Sequence, residues 1–197
     1  MLKILKWTGI VVVGAYVALV IYRMFVLNAE DKTAEQVKRI HATRLTIQDV
    51  MGEHLPPEPP APYATVQGVD ANANGIRDDV ELAIFKEYPN SARTRAVLLQ
   101  YALALQMEVT QELVNTGTVV AVAQVGGKAS SCIGQSFPRT DLRKFISVVQ
   151  GYSDFVEKWQ LNTSARIEAQ KEFYEGNLDS YSSLDESCDI ELSTLPN

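Results

Sequence analysis

The chain has 197 residues, of which 46% are hydrophobic and 21% charged, enough for one folded domain and an additional segment. Beyond residue 27, 15 Lys and Arg stand against all 24 Asp and Glu, a formal charge of −9. That balance argues against nucleic acid or an anionic surface as a partner and suits a cation ligand.

Trp7 to Leu27 is a 21-residue apolar run broken only by Arg23, with Lys3 and Lys6 before it. About 20 such residues cross a bilayer as a helix, and an arginine near the end can reach the headgroups. Residues 1–6 are then a short cytoplasmic tail and 7–27 a transmembrane anchor. A cleaved signal peptide has a similar layout. Here, however, Leu27 stands where cleavage before residue 30 wants a small side chain, so an uncleaved anchor is the favoured reading. Both readings export the remainder, and the layout suggests a bacterial-type inner membrane with the C-terminal domain in the periplasm. Gly14-x-x-x-Ala18 offers a close-approach face for a second copy of the anchor, hence a homodimer.

Residues 28–55 form a juxtamembrane segment. Thr33-Ala-Glu-Gln36 has the spacing of a capping box, and Val37, Ile40, Ile47 and Met51 recur at helical spacing with Leu45 on one flank. The pattern predicts a helix from about 32 to 53, either continuing the membrane helix as a stalk or packing on the domain. Residues 56–62, Pro-Pro-Glu-Pro-Pro-Ala-Pro, cannot be helical and predict a stiff extended linker between stalk and domain.

The exported domain, 63–197, opens on Asp70-Ala-Asn-Ala-Asn-Gly-Ile-Arg-Asp-Asp-Val-Glu81. Side-chain oxygens fall at positions 1, 3, 5, 9 and 12 of this stretch, on Asp70, Asn72, Asn74, Asp78 and Glu81, with Gly75 at position 6. Calcium takes six to eight oxygens, and a tight loop delivers them from alternate residues. Without metal, the same residues would form a chain of Asx turns ahead of a capped helix.

The loop resembles those of the EF-hand and of the thrombospondin type 3 repeat, over these 12 residues only. The usual EF-hand has an aliphatic residue at position 8, where this chain has Arg77; Ile76 at position 7 and Asp78 at position 9 look more like the thrombospondin-type loop. The resemblance implies side-chain oxygens from Asp70, Asn72, Asn74 and Asp78, the backbone carbonyl of Ile76, and both oxygens of Glu81. Asp79 is left as a spare carboxylate, in a water-mediated shell or favouring the helix N-terminus. Only three firm carboxylates remain, so the expected calcium affinity is weak, with Kd on the order of 10⁻⁴ to 10⁻³ M. No second copy and no preceding helix are visible, which predicts a lone loop feeding a helix.

A helix is expected from about Asp78 to Tyr88, and a second, capped by Asn90 or Ser91, to about Asn115. Residues 116–131 are uncharged until Lys128 and fit a helix, a strand or a contact surface, with Gly126-Gly127 ending the apolar run. Helix is favoured because no partner strand is evident. Asp141 to Trp159 is the clearest amphipathic helix, and Asn162-Thr-Ser caps a last one to about Glu175. The tail from Asp179 is expected to be loose except where Cys188 ties it down. An even pair of cysteines in an oxidising compartment predicts a Cys132–Cys188 disulfide. Closing about 57 residues, it would contribute roughly 4 kcal/mol in the chain-entropy model. The expected fold is all-α: a single transmembrane helix, a proline-rich spacer, and an exported four- to five-helix domain with one calcium loop.

Recognisable enzyme chemistry is missing. His41 and His54 have no metal-ligand spacing, there is no G-x-S-x-G, and Gly126-Gly-Lys-Ala lacks the residues of a phosphate loop. A structural or protein-interaction role is therefore expected. The alternatives are an exported enzyme with a structural calcium, recognisable by a cleft holding carboxylates or His41, and an accessory subunit of a membrane complex.

Overall fold

The computed structural model of the protein describes residues 2–196; the side chains of residues 2–6 and of Thr8 are also outside the description. Of the expected cytoplasmic tail, Met1 and the side chains of Lys3 and Lys6 thus lie outside the described residues. The secondary structure is helical, with no strand among the described residues.

Helix α1 runs unbroken from Leu2 to Ala42. Its first half is long and apolar enough to cross a membrane, and among its described side chains none is buried in the protein. Its second half packs on α5 (Thr116–Gln135) and buries Ile40. The expected helix start at Thr33 does not occur. The Thr33 hydroxyl donates back to the Ala29 carbonyl at 2.9 Å, an ordinary mid-helix bond. The capping box lies instead at Thr46 and Asp49, opening the short α2 (Ile47–Met51) after a break at 43–46. That break shifts the helical phase. Val50 faces the core beside Ile40 and Leu45, while the expected core residues Ile47 and Met51 are exposed.

Residues on both sides of the proline run therefore share one core. The run itself lies along the surface, with Pro56 and Pro59 buried. After the loop at 70–81 come α3 (Asp78–Glu87), α4 (Ala92–Thr110), α5, α6 (Leu142–Gln160) and α7 (Ser164–Tyr174). Short polar side chains set their starts: Ser91, Asn115, Asp141 and Thr163 each accept a backbone N–H of the first turn.

Helix α4 is the axis of the domain, buried almost all round. It ends at Thr110, five residues before the expected Asn115, because the chain must turn there to start α5. Its buried polar residues each fasten a neighbour. Arg95 donates to the carbonyls of Val50, Tyr88 and Pro89. Gln100 brackets the tail, donating to Ser187 O and accepting from Asp189 N, both at 2.9 Å. Gln106 donates to Gln67 O at 2.8 Å and accepts from Gln160. Glu108 accepts from Gln170 and from the Tyr174 hydroxyl. Buried polar groups are tolerated only when paired, so these bonds fix which segment lies where.

Residues 116–135 are helical throughout, and Gly126-Gly127 does not end the run. Glu108 Oε1 lies 3.5 Å from where a Gly126 methyl would be, so the small residue leaves room for the carboxylate of α4. Residues 179–183 of the tail are exposed and irregular, while the stretch around Cys188 is docked, and the docking extends to Leu195. Cys132 and Cys188 are disulfide-bonded with a Cα–Cα distance of 4.9 Å. Asp189 forms a buried ion pair with Lys128 at 2.6 Å, and Leu195 is buried beyond a short 3₁₀ turn, Leu192–Thr194. In α6 only Val156 and Gln160 are fully buried; its N-terminal half leaves Leu142 and Ile146 63% and 52% exposed despite the regular apolar stripe.

Candidate functional site

Residues 70–81 are shaped by their own short side chains. Asp70 accepts the N–H groups of Asn74 (3.1 Å) and Gly75 (2.9 Å) through its two oxygens. Asn74 Oδ1 accepts from Ile76 N at 2.8 Å, and Asp78 Oδ1 from Ala71 N at 2.9 Å. Asp78 N donates to Val69 O at 2.8 Å, closing the loop at its base. Positions 4 and 6 are both left-handed, Ala73 at φ 57° and Gly75 at φ 84°. For alanine that conformation costs on the order of 1 kcal/mol or more, so the surrounding bonds impose it. A methyl on Gly75 would sit 2.7 Å from Leu103 Cδ1, which presses the loop onto α4. Ile76 is fully buried and anchors the loop's inner side.

The loop feeds directly into α3, and Asp78 and Glu81 fall in its first turn, both buried. Glu81 Oε2 accepts from Asn72 Nδ2 at 3.0 Å, and the same amide reaches His54 O at 3.0 Å. Burial raises the Glu81 pKa to about 7, with the Asn72 bond opposing the shift. Burial also pushes Asp78 up, the Ala71 N–H partly offsetting it. Asp78 Oδ2 and Asn74 Nδ2 are buried with no hydrogen-bond partner. Such atoms are expensive to leave unpaired, most of all on a carboxylate. Among the described residues, no three His, Cys, Asp or Glu side chains gather closely enough to hold a metal by themselves. The oxygens of Asp70, Asn72, Asn74, Asp78 and Glu81 share one loop, with two of the five donors being asparagines.

Two residues that the sequence did not single out as functional lock this loop to the rest of the domain. Arg77 is fully buried and chelates Asp79, Nε to Oδ1 at 2.6 Å and Nη2 to Oδ2 at 2.9 Å. It also donates to the last carbonyls of α6, Trp159 O at 2.7 Å and Gln160 O at 3.1 Å. Asp79 is therefore the counter-ion of Arg77 rather than a spare carboxylate. Arg166 of α7, also fully buried, donates to the carbonyls of Pro62, Thr65 and Val66. Burial lowers its pKa, and the nearby Arg77 charge adds to the effect. Gly68, at φ 72°, passes between them, and a methyl there would lie 2.2 Å from Arg77 Cδ. An arginine in place of the usual aliphatic residue at position 8 is the one visible trace of this clamp in the sequence.

Beside the loop, a groove of about 960 Å³ runs between the proline segment, α3 and the end of α6, lined by Pro59, Tyr63, Asp79, Leu82, Phe155 and Trp159 among others. His41 lines a separate cavity of about 250 Å³ with Lys128 and Asp189. Its groups are engaged: His41 Nε2 pairs with Gln124 Oε1 at 3.1 Å, and Asp189 takes Lys128 and Leu45 N. This arrangement fastens the tail to α1 and α5. His54 is exposed and contributes only its carbonyl, to Asn72. No family model matches the chain, and no curated protein or solved structure is significantly similar to it.

Proposed function

We propose that the protein is a membrane-anchored, extracytoplasmic helical domain with a structural or protein-interaction role, in which residues 70–81 bind calcium. The observation that most supports calcium is the buried carboxylate pair at the start of α3: Glu81 with a single neutral side-chain donor beside Asp78, which has an unpartnered oxygen. A divalent cation would satisfy both and relieve the cost of their burial. Asp70, Asn72 and Asn74 carry the remaining side-chain oxygens, and the Ile76 carbonyl completes the expected set. Calcium supplies charge and coordination here, and no chemistry is assigned to it.

Because Arg77 ties the loop to α6 and Arg166 ties the segment before it to α7, a bound ion would hold the proline segment, α3 and the α6–α7 corner in one arrangement. The groove beside the loop and the exposed Leu142 and Ile146 support an interaction role. The test is a melting curve of the full chain in mild detergent, with EDTA and with millimolar calcium. The full chain is needed because Ile40, Leu45 and Val50 belong to the domain core. Calcium should raise the midpoint, and Asp70→Ala with Glu81→Ala should abolish the rise. An equal midpoint in EDTA and calcium would reduce residues 70–81 to a helix-capping turn. Protease accessibility in sealed inverted and right-side-out vesicles tests on which side the domain lies.

A further inference from the structure

We propose that the α4–α5 turn, residues 111–115, rests in the headgroup layer of the bilayer that α1 crosses, with Leu113 as its apolar contact. The inference rests on the reading of α1 as a membrane span and concerns what the domain then touches.

Helix α1 enters the domain without a hinge. From Leu27, the end of the apolar run, to Thr33 is six residues, or about 9 Å at 1.5 Å per residue. At that height the domain begins. Asn115 donates to the Thr33 hydroxyl, Gln36 Nε2 donates to Gln111 Oε1 at 2.6 Å, and a methyl on Gly117 would lie 3.0 Å from Thr33 Cγ2. Further along, His41 meets Gln124. These pairs show α5 running outward beside α1, away from the bilayer, while α4 runs inward to the turn. Both ends of the turn are tied to α1 at 33–36, so its tip, Glu112 to Val114, lies on the side of the domain that faces the apolar run.

Magnitudes decide whether it touches. A headgroup layer is roughly 5–8 Å thick on each side of the hydrocarbon. Neighbouring helices lie about 8–10 Å apart, and a span tilts by about 20° on average, so a tilt toward α5 lowers the turn by about 3 Å. The tip then lies within the headgroups. Leu113 is 44% exposed there. Glu112 beside it is exposed and anionic, which keeps the turn at the headgroup level and out of the acyl chains. The proline run does not hold the domain off the membrane, because residues 33–50 are already part of the domain when the chain reaches it.

The test uses the full chain, oxidised, in phosphatidylcholine nanodiscs, with a nitroxide on Leu113→Cys, Val20→Cys or Arg139→Cys in separate preparations. Accessibility to a water-soluble nickel chelate and to oxygen is read by paramagnetic resonance. Arg139 lies 22 residues beyond Gly117, past the outer end of α5 at Gln135, and serves as the aqueous reference. The expected result is several-fold lower chelate accessibility at 113 than at 139, and still lower at 20. Equal chelate accessibility at 113 and 139, with 20 protected, would overturn the proposal while leaving the membrane span intact. Accessibility at 20 as high as at 139 would overturn both.

Discussion

Within one turn of chain, the loop handles buried charge in two opposite ways. Arg77 and Asp79 satisfy each other, and the guanidinium also takes two carbonyls of α6. Asp78 and Glu81, interleaved with them, have carboxylates that are just as buried and no cation beside them. The geometry of a starting helix explains the separation. Arg77 is the extended residue ahead of the helix, so its long side chain lies along the end of α6 and reaches back to Asp79, while 78 and 81, three residues apart in the first turn, share the face toward the loop interior. The first cluster is complete as it stands and reads as structure. The second leaves an Asp78 oxygen unpartnered and raises the Glu81 pKa, which is why the proposed calcium site is placed there.

The contrast can be broken most severely at the complete cluster. Arg77→Met strands Asp79 and two helix-end carbonyls, and Gly68→Ala drives a methyl into Arg77. Each is expected to lower stability by about 3–5 kcal/mol, as for other broken buried pairs, to the same extent in EDTA and in calcium. Chemical denaturation of the two variants in both media measures this. A loss seen only in calcium would mean that the clamp and the ion site are one unit.

At the incomplete cluster the sign reverses. Glu81→Gln removes an uncompensated buried charge and should stabilise the metal-free protein at pH 8 by about 1–3 kcal/mol. The same substitution should erase the response to calcium. Destabilisation of the metal-free form would show that the carboxylate is already paired.

Calcium itself has a smaller expected effect. At tenfold its Kd it adds about 1.4 kcal/mol, or a midpoint shift of roughly 3–6 °C for a domain of this size. Asp78→Asn should reduce that shift. Calorimetric titration gives the affinity directly, and a Kd below about 10⁻⁶ M would contradict the weak site expected from three carboxylates.

The finest test is pH. Glu81 titrates near 7 in the folded protein against an ordinary value of 4.5. The native state therefore holds this proton more tightly than the unfolded chain. The stability it contributes without metal is complete below pH 4.5 and is lost as pH rises through 7. Calcium competes with that proton, so affinity should weaken by roughly tenfold per unit below pH 7, and uptake at pH 6.5 should release protons. Titrations in buffers of different ionisation enthalpy would detect the release. Affinity that is flat from pH 6 to 8 would remove Glu81 from the ligand set.

Much of this was legible in the residues. The caps at Ser91 and Thr163 and the helical stripes gave α3, α4, α6 and α7 within a few residues, except the C-terminal end of α4. The cysteine pair was legible because only two cysteines exist. The Thr33 start failed because Thr-x-x-Gln is equally at home inside a helix, where the hydroxyl bonds backward. In the tail, the anchoring at Cys188 was legible, but not the groups that reinforce it: Gln100, Lys128 and Leu45 N lie 61 to 144 residues from their partners Ser187 and Asp189. Helix α6 misled in the other direction: an apolar stripe states which face is available for burial, not whether a neighbour reaches all of it.

The sequence by itself determined the helical class, the apolar N-terminal segment, the disulfide partners and the oxygen spacing of residues 70–81, because these depend on local periodicity, on side-chain chemistry or on having only one possible pairing. Tertiary structure alone decided that α1 continues into the domain core, that Arg77 ties the loop to the end of α6 while Arg166 of α7 holds the segment before it, and that Asp78 and Glu81 are buried without a counter-ion. Each of these follows from which distant surfaces meet, and burial together with the pairing of charge is a property of that meeting.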